Sequence, residues 1–192
     1  EPRLAADGLE LVIAVHPRCP CTVASIDALA NVVADLRDRG HELAVHVLLR
    51  MPEAGPDDAW RDGPAARRLE ALGPRAERLD PGGRIAARWG MATSGHVAVF
   101  GPDGRRLLDG GLTPARAHAA APETLEAIAD RLAVGRVVAS RPVFGCPVPD
   151  PDDAVAAGPA PGDGETRRPG GPRAAASAQP SRPPADPRED PR

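Results

Sequence analysis

The chain has 192 residues, 42% of them hydrophobic, and a formal net charge of −3, which allows one medium-sized globular domain, or one small domain with appendages. All 24 basic residues are arginine, so no P-loop, Schiff-base or catalytic lysine is available. Aromatic residues make up only 2% and there is no basic excess, so we expect no binding to nucleic acid. No apolar run approaches the roughly 18 residues of a membrane span, so we expect no transmembrane segment.

The first elements alternate between strand and helix. Residues 11–15 are a continuous apolar run, typical of a strand that is buried on both faces. A helix that ends at Gly40 and a second apolar strand over residues 43–49 follow. The apolar positions at helical spacing are Val23, Ile26, Leu29, Val33 and Leu36. This order predicts a parallel βαβ unit with a right-handed crossover.

The next region gives weaker signals, beginning with a loop over residues 51–64 that is rich in Pro, Gly and Asp. The elements after it are short helices over 65–72 and 85–89, strands over 97–100 and 105–108, and a final helix over 122–132. The turn Gly101-Pro102-Asp103-Gly104 predicts that the two strands form a hairpin. A βαβ unit followed by ββα is the layout of the thioredoxin fold, although order alone leaves other α/β folds open.

The end of the chain has a different composition. Half of the 24 prolines lie in residues 147–192, among Asp and Arg blocks and with few large aliphatic residues. Such a segment cannot bury enough apolar area to offset its conformational entropy. We therefore predict a folded domain over residues 1–148 and a disordered Pro/Arg/Asp-rich tail over residues 149–192.

Residues 16–22, here called the cysteine turn, join the first strand to the first helix and hold Cys19 and Cys21 on either side of Pro20. Free N–H groups and the helix dipole favour a thiolate at this position, and Arg18 adds positive charge. We expect a Cys19–Cys21 disulfide to be strained and readily reduced, because the spacing of i and i+2 is close to the geometric limit. The pair is interpreted as a redox pair, with a metal-binding pair or inert buried thiols as the alternatives.

A third cysteine, Cys146, lies between Gly145 and Pro147, where the predicted domain meets the tail. One interpretation is a buried packing residue. The other is a functional thiol, either a disulfide partner of Cys19 or Cys21 or a third metal ligand. The glycine and proline on either side indicate a specific backbone path.

A second loop, Thr93-Ser94-Gly95-His96, precedes the strand over residues 97–100. In a thioredoxin-like layout this loop faces the cysteine turn, and Gly95 stands where thioredoxins carry a cis-proline. Because glycine has no side chain, the loop can approach a substrate backbone or a metal closely. We expect Thr93, Ser94 and Gly95 to contact the substrate.

Histidines add further candidates. His96 is interpreted as a general base, thiolate partner or metal ligand, or else as a surface or capping residue. His16 either pairs with a thiolate or orients the cysteine turn through a hydrogen bond. His118 is a weaker candidate that follows a Gly-Gly segment.

Four motifs in chain order resemble those of the RedB-type thioredoxin-like proteins of bacteria, over residues 9–148. They are His16-Pro17-x-Cys19-Pro20-Cys21-Thr22, Thr93-Ser94-Gly95-His96, Gly110-Gly111-x-Thr113 with Arg116 and His118, and Val143-Phe144-Gly145-Cys146-Pro147. The resemblance implies a thioredoxin-like α/β fold with a central mixed sheet, and a thiol–disulfide role. It also implies export or membrane anchoring, so we expect that an upstream signal or anchor was removed before Glu1.

The first hypothesis is a thiol–disulfide oxidoreductase that needs no cofactor and exchanges with a protein thiol or disulfide partner. Cys19 is expected to be the exposed nucleophile and Cys21 to resolve the mixed disulfide, while Cys146 offers an alternative disulfide. His16, Pro20 and His96 would support the reacting thiols.

Two alternatives remain. A copper-binding or copper-delivery module similar to SCO-type proteins would use Cys19, Cys21 and His96, because thiolates and imidazole suit copper. A structural scaffold whose tail recruits partners is the other alternative.

Overall fold

The computed structural model describes residues 8–53, 60, 62–73 and 75–149. Apart from Pro149, the tail predicted over residues 149–192 lies outside these residues, and so do residues 54–59 of the predicted loop. Within the described part of the chain, no helix has the length and apolar character needed to cross a membrane.

Most of the predicted elements are confirmed, with ends that differ by a few residues. The strands are β1 (Leu9–Val15), β2 (Leu43–Met51), β3 (Ala76–Pro81), β4 (Val97–Phe100) and β5 (Arg106–Gly110). The helices are α1 (Pro20–Asp38), α2 (Pro64–Arg68), α3 (Arg84–Arg88) and α4 (Pro122–Ala133), and a 3-10 turn over Leu69–Leu72 extends α2. Only β3 has no counterpart among the predicted elements.

The five strands form one mixed sheet in the order β3-β2-β1-β4-β5. β1 and β2 are parallel, with Ile13 opposite Val47, and β3 runs parallel to β2. β4 is antiparallel to both β1 and β5, so the predicted hairpin and the parallel pairing of the βαβ unit are confirmed. The cysteine turn, which follows the central strand β1, therefore lies at one end of the sheet.

Both faces of β1 are buried, as its continuous apolar run predicts. Leu11 and Ile13 contribute to the larger core cluster, which contains the apolar faces of α1 and α4. Val12 and Ala14 contribute to a smaller cluster on the other side, which contains Met91. The alternation follows from the period of two in a strand. It places α1 on one defined face of the sheet.

The position of α1 fixes the site described below. Pro20 occupies its first turn, where the missing N–H is no loss and the restricted φ is already helical. Buried residues recur along one face at Ile26, Leu29 and Val33, which seats the helix on the sheet. The chain leaves the helix at Gly40, whose φ is +83°. As a result, the N-terminus of α1 lies where β1 ends.

Residues 141–149, here called the strap, follow α4 and contain no regular helix or strand. At the start of the strap, the Gly111 N–H donates to the Arg141 carbonyl at 3.1 Å. At its other end, the Val148 N–H donates to the Ala92 carbonyl at 3.0 Å, and the Val148 side chain is fully buried. The strap therefore passes between two anchored ends.

Candidate functional site

The cysteine turn forms a short hydrogen-bonded connection from β1 into α1. The Cys19 N–H donates to the His16 carbonyl at 3.0 Å, and the Thr22 N–H donates to the Cys19 carbonyl at 3.2 Å. Cys19 is the N-cap of α1, with an extended backbone at φ −82° and ψ 109°, and its side chain does not cap the helix. The sulfur is therefore free to make other contacts at the positive end of the helix dipole.

The thiol of Cys19 lies beneath the strap. The Cys146 N–H donates to Sγ of Cys19 at 3.3 Å, so the strap brings a hydrogen-bond donor directly onto this sulfur. Burial raises the pKa of Cys19, but the hydrogen bonds from Cys146 and Thr22 outweigh it and bring the pKa below its ordinary value. The fold thus stabilises a thiolate on Cys19.

Cys146 shows the opposite shift. Burial, the hydrogen bond to Cys19 and the negative charges of Cys19 and Cys21 raise the pKa of Cys146 to about 11, while Arg116 works in the other direction. When Cys19 is a thiolate, the thiol proton of the pair therefore resides on Cys146. The two sulfurs form an asymmetric pair, with one anionic acceptor and one protonated donor.

The expectation that Cys19 is exposed is wrong. Its side chain has no exposed area, whereas Cys21, in the first turn of α1, is only partly buried. The physical reason is the strap, which brings Cys146 over the Cys19 sulfur. All three cysteines are free thiols in this structure, so it contains no Cys19–Cys21 disulfide.

A chain of hydroxyl groups connects the second loop to the Cys19 sulfur. The His16 N–H donates to Oγ of Ser94 at 2.7 Å, and Oγ of Ser94 lies 2.6 Å from Oγ1 of Thr22. Either hydroxyl of this pair can be the donor, and Thr22 is one of the groups that lower the pKa of Cys19. The prediction that the loop at residues 93–96 faces the cysteine turn is therefore confirmed. Sequence reasoning did not single out Thr22 as a contact of the thiolate.

Gly95 occupies a position that strongly favours glycine. Its φ is +89°, and a Cβ added there would lie 2.6 Å from Oγ of Ser25. The Gly95 N–H donates to the Ala14 carbonyl at 2.8 Å, which extends the pairing of β4 with β1. Glycine thus allows the loop to pass directly over α1.

His96 is engaged away from the cysteines. Its Nε2 lies 2.6 Å from Oδ1 of Asp109, a residue of β5 that also accepts a hydrogen bond from Arg106. Across the described residues, no three His, Cys, Asp or Glu side chains lie close enough together to hold a metal ion. The predicted ligand set of Cys19, Cys21 and His96 is therefore not assembled in this structure.

The other two candidate histidines act locally. Nδ1 of His16 accepts a hydrogen bond from the Arg18 N–H at 3.3 Å, which favours the interpretation that His16 orients the cysteine turn. Its ring lies 5.1 Å from that of Trp60, and the Arg18 guanidinium lies 4.7 Å from the Trp60 ring. His118 is exposed and bonds to the Arg116 carbonyl at 2.6 Å. Trp60 was not predicted to contact the cysteine turn.

Comparison with known proteins supports the fold alone. No family model matches the chain, and no curated protein matches it. An uncharacterized conserved protein from Geobacillus kaustophilus has a similar structure, with a TM-score of 0.56 and 19% identity over 76% of this chain and 79% of that one. A hypothetical protein from Sinorhizobium meliloti 1021 gives a TM-score of 0.55 and 22% identity over 74% of this chain and 80% of that one.

Proposed function

We propose that this chain is a thiol–disulfide oxidoreductase with a thioredoxin-like fold, related to the RedB-type proteins, that exchanges with a protein thiol or disulfide. Cys19 is the reacting thiolate and Cys146 is its disulfide partner. The contact between the Cys146 N–H and the Cys19 sulfur carries this proposal, because it places Cys146 against the reacting sulfur at the start of α1.

The topology supports the fold assignment. A βαβ unit with β1 parallel to β2 is followed by an antiparallel β4–β5 pair and then α4. This is the thioredoxin layout, in which the reacting cysteine stands at the turn between β1 and α1. Cys19 occupies that turn, and the loop before β4 lies against it.

The electrostatics support the choice of Cys19. A thiolate is the nucleophile in disulfide exchange, and a thiol of lowered pKa is also a good leaving group. The hydrogen bonds from Cys146 and Thr22 stabilise the anion on a side chain that has no exposed area. Cys21 is partly exposed and lies two residues away, so it remains a second thiol that can meet a partner.

The exchange proceeds in two balanced steps. The Cys19 thiolate attacks one sulfur of a substrate disulfide, forms a mixed disulfide and releases the other sulfur as a thiolate, which takes up a proton from solvent. Cys146 then loses its proton to solvent and attacks the Cys19 sulfur, which forms the Cys19–Cys146 disulfide and releases the second substrate sulfur. Two electrons pass from the protein dithiol to the substrate, and the reverse sequence oxidises a substrate dithiol.

The pKa shifts set the order of the two exchange steps. While Cys19 is anionic, its charge and its hydrogen bond help to hold the Cys146 pKa near 11, so Cys146 stays protonated. Formation of the mixed disulfide removes that charge, and the pKa of Cys146 falls. Cys146 therefore becomes a better nucleophile after Cys19 has reacted, although burial still raises its pKa.

Anaerobic equilibration in a glutathione redox series, followed by mass-spectrometric disulfide mapping, tests the proposal. We expect a two-electron transition that forms the Cys19–Cys146 bond, is retained in Cys21→Ser and is lost in Cys146→Ser. A Cys19–Cys21 bond that survives Cys146→Ser would refute the assigned partner. Thiols that stay reduced throughout, but become protected by one equivalent of Cu(I), would refute the oxidoreductase and support the copper-binding alternative.

A further inference from the structure

The Cys19 thiol is covered by a segment distant in the sequence. Residues 145–148 of the strap lie along residues 92–94 as a short antiparallel pair, with Thr93 opposite Pro147. The Ser94 N–H donates to the Cys146 carbonyl at 2.9 Å, and the Val148 N–H donates to the Ala92 carbonyl at 3.0 Å. The two bonds lie on either side of Pro147, and the first of them holds Cys146 above the Cys19 sulfur.

The strap sequence fits this pairing. Pro147 has no N–H, but the antiparallel pattern here uses the N–H groups of Ser94 and Val148, so the proline costs no hydrogen bond. Gly145 passes so close to the loop that a Cβ there would lie 2.0 Å from the Ser94 carbonyl oxygen. The strap therefore lies against the loop at backbone contact distance.

One end of this segment carries an apolar anchor. The Val148 side chain has no exposed area and packs with the smaller core cluster, which includes Met91. Nε of Arg50 donates to the Val148 carbonyl at 2.8 Å. The part that carries Cys146 has less support, because Cys146 and Phe144 are only partly buried. The Val148 anchor thus holds residues 145–148 in place, while the part over Cys19 buries less side-chain area of its own.

We propose that residues 145–148 are a removable cover. They occupy the edge formed by residues 92–94, to which the substrate binds. The strap presents an extended backbone, a cysteine and a β-pairing to residues 92–94, and these are the features that a cysteine-containing polypeptide would present. An extended polypeptide segment that bears a disulfide binds this edge when the strap lifts. When the strap returns, Cys146 displaces the bound polypeptide from this edge. This inference rests on the proposed function and names the substrate class and the access step.

Lifting of the strap predicts local opening in the native protein. In reduced wild-type protein, we expect the amides of Ser94 and Val148 to exchange their hydrogens faster than those at the centre of β1, because local openings break fewer contacts than global unfolding. Exchange of both amides at the same rate as the β1 core would mean that the strap opens only when the domain unfolds, and would overturn the proposal.

Substitutions in the strap test access to Cys19. We expect Gly145→Ala and Val148→Ala to raise the alkylation rate of Cys19 in reduced protein by about tenfold or more, since each weakens strap contacts that limit opening. The rate at Cys21, read from the same digests, should change little. Val138→Ala is the matched control, because it truncates another buried valine, one that packs in the larger core cluster. An equal rise at Cys19 in Val138→Ala would overturn the proposal.

Reduction of a peptide disulfide distinguishes a failure of this inference from a failure of the proposed function. The probe is the disulfide-linked dimer of Phe-Gly-Cys-Pro-Val, the sequence of residues 144–148. We expect Val148→Ala to reduce it faster than wild type does. If the Cys19–Cys146 disulfide forms in the redox series but the strap variants do not raise the alkylation rate of Cys19, the cover is refuted and the function stands. If the variants expose Cys19 but no couple forms and no peptide is reduced, the cover stands and the function fails.

Discussion

The amide of Cys146 donates to the sulfur of Cys19 across 3.3 Å, and both cysteines are free thiols. The anion on Cys19 is therefore one of the causes that raise the pKa of Cys146 to about 11. We expect Cys19→Ser, made in a Cys21→Ser background, to lower the pKa of Cys146, because the hydroxyl stays neutral. Thiolate absorbance followed against pH measures this shift. A pKa that stays at about 11 with and without Cys19 would show that burial alone sets it.

The Cys146 shift also predicts how stability depends on pH. A thiol whose pKa is higher in the folded state contributes stability below its ordinary value of 9.0, and this contribution is lost as the pH rises to about 11. Cys19 has a lowered pKa, so its contribution is present above the ordinary value and is lost as the pH falls through the folded value. We expect the urea-unfolding free energy of reduced protein to fall between pH 9 and 11 more steeply than that of Cys146→Ser. Parallel curves for the two proteins would contradict the shift.

Gly95→Ala tests the close approach of the second loop to α1. The substitution should destabilise the fold for two reasons: alanine disfavours the positive φ, and its Cβ would lie 2.6 Å from Oγ of Ser25. We expect a loss of about 2–4 kcal/mol in the free energy of unfolding, measured in urea. Gly104→Ala is the control, because Gly104 has φ +74° but nothing within 4 Å of an added Cβ, and should lose only about 1 kcal/mol. Equal losses would mean that contact with Ser25 is unimportant.

Thr22 and His96 are predicted to differ in their effect on the thiolate. Thr22→Val removes a hydroxyl that donates to the Cys19 sulfur, so we expect the pKa of Cys19 to rise. His96→Ala removes a partner of Asp109 on β5 and should leave the Cys19 pKa unchanged. The pH dependence of Cys19 alkylation in each variant measures the shift. A rise of similar size in His96→Ala would restore His96 as a partner of the thiolate.

The sequence predicts those parts of the fold whose burial is periodic. The continuous run in β1, the helical spacing in α1 and the turn between β4 and β5 each have a local physical cause, and each is observed. β3 was missed because it is an edge strand in which Asp80 is the only buried residue, so neither alternation nor a continuous apolar run is present. Asp80 is buried because its carboxylate accepts the N–H groups of Ile85 and Ala86, at 2.8 and 2.9 Å.

The site was predicted less completely than the fold. The order of motifs correctly associated Cys146 with the cysteine turn, and the thioredoxin-like layout correctly placed the loop at residues 93–96 against that turn. Burial of Cys19 could not be read from the sequence, because the strap that covers it has no periodic pattern. His96 lies one position before β4, and nothing in its local sequence signals the pairing with Asp109 across the sheet.

The cover of Cys19 lies 127 residues further along the chain than the thiol itself. During synthesis, the N-terminal part of a domain emerges first. The cysteine turn can therefore form while its sulfur is still open, and the sulfur is closed only when Cys146 and Val148 arrive. A nascent chain halted before the strap would carry a bare reactive thiol, which makes the interval before closure the period in which unintended disulfides with other chains are most readily made.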